Sequence, residues 1–261
     1  MADTFTIATW NVNSVRARQQ RLLRWLTARR PDVVCLQELK GTEETFPFEP
    51  LQQAGYQAAV YGQKTYNGVA ILSRSELSEV SRGFDDGQED VQARLIAATV
   101  EGIRVLSAYV PNGSEPGSEK YAYKLAWLAR LQSYLQARNP AAAPLVLCGD
   151  INIAPEVRDV ARPEAWEGTV LFNPEMSDRF GALLATGLVD TLRLHHAEAG
   201  LYSWWDYRRL GFPRNDGLRI DHVLASEPLA KRCTEAFIDR EERKGEKPSD
   251  HAPVVVTFER P

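Results

Sequence analysis

The chain has 261 residues, a formal net charge of −4, a pI near 5.7 and 44% hydrophobic residues. That length and apolar content suffice for one large core or two joined ones, and the charge excludes a generic basic nucleic-acid binder. No apolar run approaches the ~18 residues of a membrane span and no signal-peptide pattern precedes the first strand, so a cytoplasmic, single-domain protein spanning residues 1–261 is expected.

The chain opens on a strand pattern, Phe5 to Trp10, that ends in Asn11-Val12-Asn13. A helical stretch from Arg18 to Arg29 carries Leu22, Leu23, Trp25 and Leu26 as its apolar stripe. Pro31 to Glu38 then reads as a second buried strand, closed by a carboxylate. The same unit returns later as a strand from Val105 to Val110, a loop bearing Asn112, a helix from Glu119 to Arg138, and a strand from Pro144 to Asp150. Two acid-ended strands after two Asn-bearing loops imply two halves facing one cleft. Asp150 and Asn152 stand at i and i+2, which on an extended backbone points both side chains the same way. They lie at a strand's carboxyl end, where open α/β sheets bind ligands. Gly149, Asp150 and Asn152 are also ordinary turn residues, so the segment alone leaves both readings open.

Leu218 to Ser226 is a later apolar strand interrupted by Asp221, an acid that needs a cation or donor in such surroundings. Asp250-His251 precedes the closing strand, Val254 to Phe258. An imidazole at work needs one partner to fix its tautomer, and Asp221 is the candidate, although an isolated Asp-His pair also suits a strand cap. His222 reads as packed in its strand, His195 and His196 as solvated, and Trp205 equally well as core packing or as part of the site. Cys35, Cys148 and Cys233 are odd in number and fit no zinc spacing, so they are expected to be reduced.

Seven motifs occur in order: Trp10-Asn11-Val12-Asn13, Leu36-Gln37-Glu38-Leu39-Lys40, Tyr109-Val110-Pro111-Asn112-Gly113, Gly149-Asp150-Ile151-Asn152, Ser203-Trp204-Trp205-Asp206-Tyr207-Arg208, Leu218-Arg219-Ile220-Asp221 and Ser249-Asp250-His251. Together they resemble the motif set of the exonuclease III family of DNA-repair nucleases, within the endonuclease/exonuclease/phosphatase superfamily. The resemblance runs from about Thr6 to Glu259. It implies a four-layer α/β sandwich, with two mixed sheets face to face, helices outside, and the active site where the loops of the two sheets meet.

For the site, the resemblance implies that Asn11 and Glu38 hold Mg2+, with Mn2+ able to substitute, and that Asp250 lies in the metal's inner or outer shell. Asp150 becomes the general base, Asn152 orients water or phosphate, and Tyr109 contacts the scissile phosphate. His251, held by Asp221, binds the same phosphate. Trp204, Leu218 and Ile220 resemble an apolar pocket for a flipped-out abasic sugar. Asn112, Arg16, Lys120 and Arg208 fall in the substrate set, and Arg18, Lys40, Lys64, Arg209 and Arg214 are further candidates for a local basic face. The expected partner is duplex DNA with abasic sites or 3′ ends, bound by a monomer with no membrane association and nucleoid-associated work.

Two rivals belong to other classes. A silent nucleic-acid-binding regulator on this fold should carry lesions at Glu38, Asp150, Asp221 or His251, and all four residues are intact. A phosphodiesterase acting on lipid or inositol phosphates should lack the block from Ser203 to Arg208, and the block is present.

Overall fold

The computed structural model describes residues 3–88, 90–208 and 210–260, so Arg209 of the expected basic face lies outside the described residues. Strands β1 (Thr4–Asn11) and β2 (Val33–Gln37) pair in parallel and are joined by helix α1 (Gln19–Arg29). Helix α2 (Phe48–Gln53) leads to β3 (Gln57–Tyr61) and β4 (Val69–Ser73), which extend this sheet on the β2 side. The second sheet takes β5 (Ser78–Arg82), β6 (Leu95–Val100), β7 (Ile103–Tyr109) and β8 (Leu145–Asp150). Its β7 and β8 are again parallel, joined by helix α3 (Glu119–Ala137). Helices α4 (Pro163–Trp166) and α5 (Pro174–Leu184) then precede β9 (Leu188–Asp190) and β10 (Asp221–Ser226), which close that sheet, while β11 (Cys233–Ile238) and β12 (Val254–Glu259) return to the first. The orders are β11-β12-β1-β2-β4-β3 and β5-β6-β7-β8-β10-β9, two mixed six-stranded sheets.

Burial explains the layering. Val33, Cys35, Ile71, Val105, Val146, Cys148, Val223 and Val256 form one apolar layer between the sheets. Both faces of the central strands are covered, so β2 and β8 are buried at every residue rather than at alternate ones. On the far side of the first sheet, Leu22, Trp25 and Leu26 of α1 pack over Ala8, Trp10, Val34 and Leu36. On the far side of the second, Trp127, Leu128, Leu131 and Leu135 of α3 pack over Leu106, Leu145 and Leu147. Each such buried side chain is worth about 1.5–3 kcal/mol of transfer free energy. The result is the expected four-layer α/β sandwich. Cys35, Cys148 and Cys233 are free thiols. No helix among the described residues is long and apolar enough to cross a membrane.

Two expectations fail here. The strand foreseen from Leu218 begins only at Asp221, because Leu218 instead exchanges backbone hydrogen bonds with Trp204, at 2.9 Å in each direction. Asp150 and Asn152 do not continue an extended backbone either: β8 stops at Asp150 and Asn152 turns into the left-handed region, φ 53°.

Behind the site, Arg219 lies fully buried, donating from Nε to Asp159 Oδ1 at 2.6 Å and pairing with Asp190 at 2.8 Å. Its Nη1 also donates to Nδ1 of His222 (3.0 Å), whose Nε2–H donates to Ile153 O at 2.9 Å, so the ring is neutral. Burial, with the Arg219 cation alongside, pushes His222 down to about 4, against the opposing pull of Asp190. Between the ordinary histidine value of about 6.5 and about 4, the unfolded chain takes a proton that the folded chain refuses. Stability therefore falls as pH drops through that window, by at most about 1.4 kcal/mol per pH unit from this group. Replacing His222 with Gln should flatten the urea-unfolding stability profile over that window, and profiles of equal slope would show that the ring does not stay neutral.

Gly149 faces Ala108 across the β7–β8 ladder, one step before Tyr109 faces Asp150. A Cβ at Gly149 would lie 2.0 Å from Ala108 O, a backbone atom that cannot move aside. Gly149→Ala should therefore cost roughly 3 kcal/mol or more of unfolding free energy, with Tyr109 and Asp150 displaced. Denaturant titration checks this, and a loss under about 1 kcal/mol would mean that the two strands tolerate separation.

Candidate active site

The carboxyl ends of the four central strands β1, β2, β7 and β8 converge on one point. There the side chain of Asn11 donates from Nδ2 to Glu38 Oε1 and to Asp150 Oδ2, each at 2.9 Å, and so ties the two sheets' acids together. Tyr109 OH donates to Glu38 Oε1 at 2.9 Å. Deeper between the sheets, Gln37 Nε2 donates to Ser107 Oγ (3.1 Å), which donates to Leu36 O (3.2 Å), fixing the mutual register behind the acids.

His251 arrives on the turn before β12. That turn is pinned to β1 by Ser249 Oγ donating to Asn11 O at 2.7 Å and by Trp10 Nε1 donating to His251 O at 3.2 Å. His251 Nδ1–H donates to Asp221 Oδ2 at 2.8 Å, and Nε2 faces Asp150 Oδ2 at 3.8 Å. Asp221 is itself held by Ser203 Oγ at 2.6 Å. Burial alone would lower the imidazole, but the carboxylates of Asp221 and Asp150 outweigh it and hold His251 well above the ordinary histidine value. Burial raises Asp150, and the nearby Asp221 and Glu38 charges add to the rise. Glu38 is lowered in spite of burial, because Lys40 and Asn11 bond its carboxylate. Burial and the neighbouring Glu38 and Asp150 raise Tyr109, which stays a protonated donor.

The expected metal residues are placed unequally. Glu38, Asp150 and His251 each set a ligand atom within 4.8 Å of the others. Asn11 turns its nitrogen to the acids while its oxygen accepts from Asn13 N at 3.0 Å, so ligation by that oxygen requires the amide to turn over. Asp250 has both oxygens engaged, by Asn13 Nδ2 at 2.9 Å and by Trp204 Nε1 at 3.0 Å. Lys40, expected on a phosphate-binding face, instead pairs with Glu38 at 2.8 Å and donates to Asn13 Oδ1 at 2.5 Å. A cation at Glu38 is thus already part of the charge balance.

The substrate residues divide similarly. Asn112 Nδ2 donates to Asn152 Oδ1 at 3.1 Å, and Asn152 N donates to Asp150 Oδ1 at 3.0 Å. Lys120 is exposed on the rim of a cleft of ≈ 660 Å³ that begins at Tyr109 and Asn112. Arg16 is exposed beside the loop after β1, and Arg208 is exposed at a second cleft of ≈ 400 Å³ that Trp166 also lines. Trp204 is partly exposed and meets Trp166 edge to face, ring centroids 5.8 Å apart. The apolar pocket is not open: Leu218 is 0% exposed and Ile220 2%, both sealed in the core behind Trp204. Trp205 is wholly buried, which decides between its two readings in favour of core packing, and His222 is packed in its strand. Of the expected solvated histidines, His195 is exposed but lies 3.3 Å from Cys233 Sγ, and half-buried His196 bonds Glu198 and Ala236.

Sequence reasoning missed three groups. Arg94 lies over the Tyr109 ring at 4.8 Å. Asn13 links Lys40 to Asp250. Lys124, on a helix face that is otherwise apolar, is buried against Asn152. Only Asn13 carried a signal, its place in the first Asn-bearing motif.

The residues 8–251 match the Endonuclease/Exonuclease/phosphatase family. Exodeoxyribonuclease III of Haemophilus influenzae is 37% identical over 262 residues, covering 96% of this chain and 98% of the relative. A structure of the 3′ phosphatase NExo from Neisseria, bound to a product DNA hairpin, superposes with a TM-score of 0.95 at 42% identity, covering 97% of this chain and 99% of that one. An AP endonuclease from Archaeoglobus fulgidus gives a TM-score of 0.95 at 41% identity, covering 98% of this chain and 100% of its own. The strand-end acids, the Asp-bound histidine and these likenesses agree: the chain belongs to the Endonuclease/Exonuclease/phosphatase family.

Proposed function

We propose that the protein is a metal-dependent DNA-repair nuclease, hydrolysing the phosphodiester 5′ to abasic sites in duplex DNA and trimming 3′ ends in the 3′→5′ direction. The observation that carries this reading is the convergence of Glu38, Asp150 and an Asp221-bound His251 on one point. Its substrate side rests on the likeness to exodeoxyribonuclease III, to an AP endonuclease and to a 3′ phosphatase bound to DNA.

The donor set suits a hard divalent cation. Two carboxylates with no thiolate favour Mg2+ or Mn2+ over zinc. Glu38 would hold the ion, Asn11 would join it if its amide turned over, and Asp250 would act from beyond them through Asn13, which leaves Asp150 free beside the ion. Bound there, the ion would supply Lewis-acid stabilisation of charge on the phosphate and the 3′-oxygen leaving group. Asp150 takes the proton of the attacking water, a role suited to a carboxylate whose basicity burial has raised. Asn152, clamped by Asn112, orients that water. His251, kept cationic and aimed by Asp221, donates from Nε2 to a phosphate oxygen. Tyr109, its hydroxyl beside Glu38, adds a neutral phenol donor. Arg16, Lys120 and Arg208 supply exposed positive charge for the duplex backbone, with Trp204 at the scissile nucleotide. Leu218 and Ile220 then act as the backing that holds Trp204 in place. The protein works as a monomer in the cytoplasm.

Cleavage of a duplex with one synthetic abasic site, compared with a matched 3′-recessed duplex, tests the reading, and an active preparation should stop in excess EDTA and recover with Mg2+. Glu38→Ala should lower the rate by several orders of magnitude with the melting temperature intact. Asp150→Asn should lose about 100- to 10,000-fold while still binding DNA. Full turnover in EDTA, or an Asp150→Asn loss of only a few-fold, would overturn the assignment.

Binding should weaken with salt, with a slope of log K against log salt of roughly −0.9 per phosphate neutralised. Arg208→Ala should make that slope shallower, and an unchanged slope removes Arg208 from the footprint.

A further inference from the structure

Lys124 stands in the second turn of α3, amid Tyr121, Trp127, Leu128 and Leu131, with 0% of its surface exposed. Its ammonium donates to three backbone carbonyls: Val170 O at 2.6 Å, Asn152 O at 2.7 Å and Asn112 O at 3.3 Å. These use all three of its N–H groups. No carboxylate lies within ion-pair distance of it among the described residues.

Such a cation is costly. Burial pushes Lys124 down to about 7, opposed only by the more distant Asp150 charge. A methionine would fill the same space but leave the three carbonyls without a donor, so the lysine is there for those carbonyls and not for packing alone. The loop is also shaped around it. Gly113 has φ 98°, and a Cβ there would come within 3.1 Å of Lys124 Cδ and 3.3 Å of the Tyr121 ring. Ser118, the cap of α3, donates to Gly113 O at 3.0 Å and anchors the same loop.

Two of the three carbonyls belong to Asn112 and Asn152, whose side chains bond each other at 3.1 Å. Asn152 is held in the left-handed conformation, φ 53°, and its N–H donates to Asp150 Oδ1 at 3.0 Å. The ammonium therefore grips the peptide behind the proposed water-orienting amide, one bond from the proposed base. We propose that Lys124 is a positioning residue for hydrolysis: its buried ammonium clamps the Asn112 and Asn152 loops together, so that the Asn152 amide and the Asp150 carboxylate meet the attacking water in line. This rests on the nuclease reading above.

The test is a double-mutant cycle on abasic-site cleavage, with Lys124→Met, Asn152→Ala and the pair. Lys124→Met should lower kcat roughly 100-fold with KM and duplex affinity nearly unchanged, since misplacement of a reacting group by about 1 Å costs that much. In the Asn152→Ala background the same substitution should cost less than about threefold, because the group it positions is gone. A merely structural role would give losses that multiply across the cycle, which overturns the proposal. An active wild type with Lys124→Met within about threefold of it overturns the proposal and leaves the nuclease reading standing. A wild type that leaves the abasic duplex uncut overturns both. If Lys124→Met does not fold, Lys124→Arg takes its place in the cycle. It keeps the charge but offers a flat fork where three carbonyls need a tripod. A kcat loss absorbed by Asn152→Ala supports the clamp, and an unchanged kcat sinks it.

Discussion

A surplus of carboxylates at the junction of two sheets is the constraint on which the site depends. Glu38, Asp150, Asp221 and Asp250 gather there, mostly out of water, against one imidazolium and the Lys40 ammonium. Like charges so placed repel strongly unless cations and donors intervene. The chain answers with specific partners: Asn11 between Glu38 and Asp150, His251 between Asp221 and Asp150, and Asn13 and Trp204 on Asp250. The same surplus that makes the junction unfavourable as a folding element makes it receptive to a divalent cation and then to a phosphate.

The strands that aim the site's side chains and the turns just beyond them differ in strain. The strands that aim these groups are buried on both faces and paired on both sides. The residues just beyond their ends are not relaxed: Asn13, Glu38, Lys40 and Asn152 all have positive φ, between 44° and 53°. Asparagine tolerates that region, whereas Glu38 and Lys40 do so at a cost of about 1 kcal/mol or more each. Backbone bonds from Leu39 N to Gly68 O (3.2 Å) and from Lys40 N to Asn67 O (3.0 Å) hold the second of these turns open. Other turns of the chain share this conformation, Thr65 and Glu101 among them, but at the strand ends it serves to turn side chains out of the sheet and into the cleft.

How much of this was legible follows from what each residue needs to know. The two strand–helix–strand units, the acid-ended strands and the Asp221–His251 partnership depend on local apolar pattern and on one chemical requirement, and the sequence displays both. Asn152 was misplaced because the extended backbone does not continue past the strand end at Asp150, and the left-handed turn beyond it is decided by the bonds of Asn152 to Asn112 and Val110. Leu218 and Ile220 were read as a pocket wall, yet pairing of that segment with Trp204 turns them into the core. Lys40 and Lys124 show the same limit in opposite directions. Both look in sequence like surface cations, and only the meeting of distant segments makes one a partner of Glu38 and the other a buried clamp.

The overall charge takes on meaning once these inward cations are set aside. Lys40, Arg94, Lys124 and Arg219 are spent on internal acids, rings and carbonyls, so they add little to the field outside. What faces solvent near the cleft is a sparse set that includes Arg16, Lys120 and Arg208, on a molecule of net charge −4. A polyanion meets such a surface with few contacts and with repulsion elsewhere, which keeps non-specific affinity low. On the proposed reading, recognition then falls on the cleft, where the Asp221-bound His251 and the Tyr109 hydroxyl stand beside the acids that would hold a cation. On the same reading, the acidic surface would favour release of an undamaged duplex, and affinity would come from the metal held among the acids and from the His251 imidazolium.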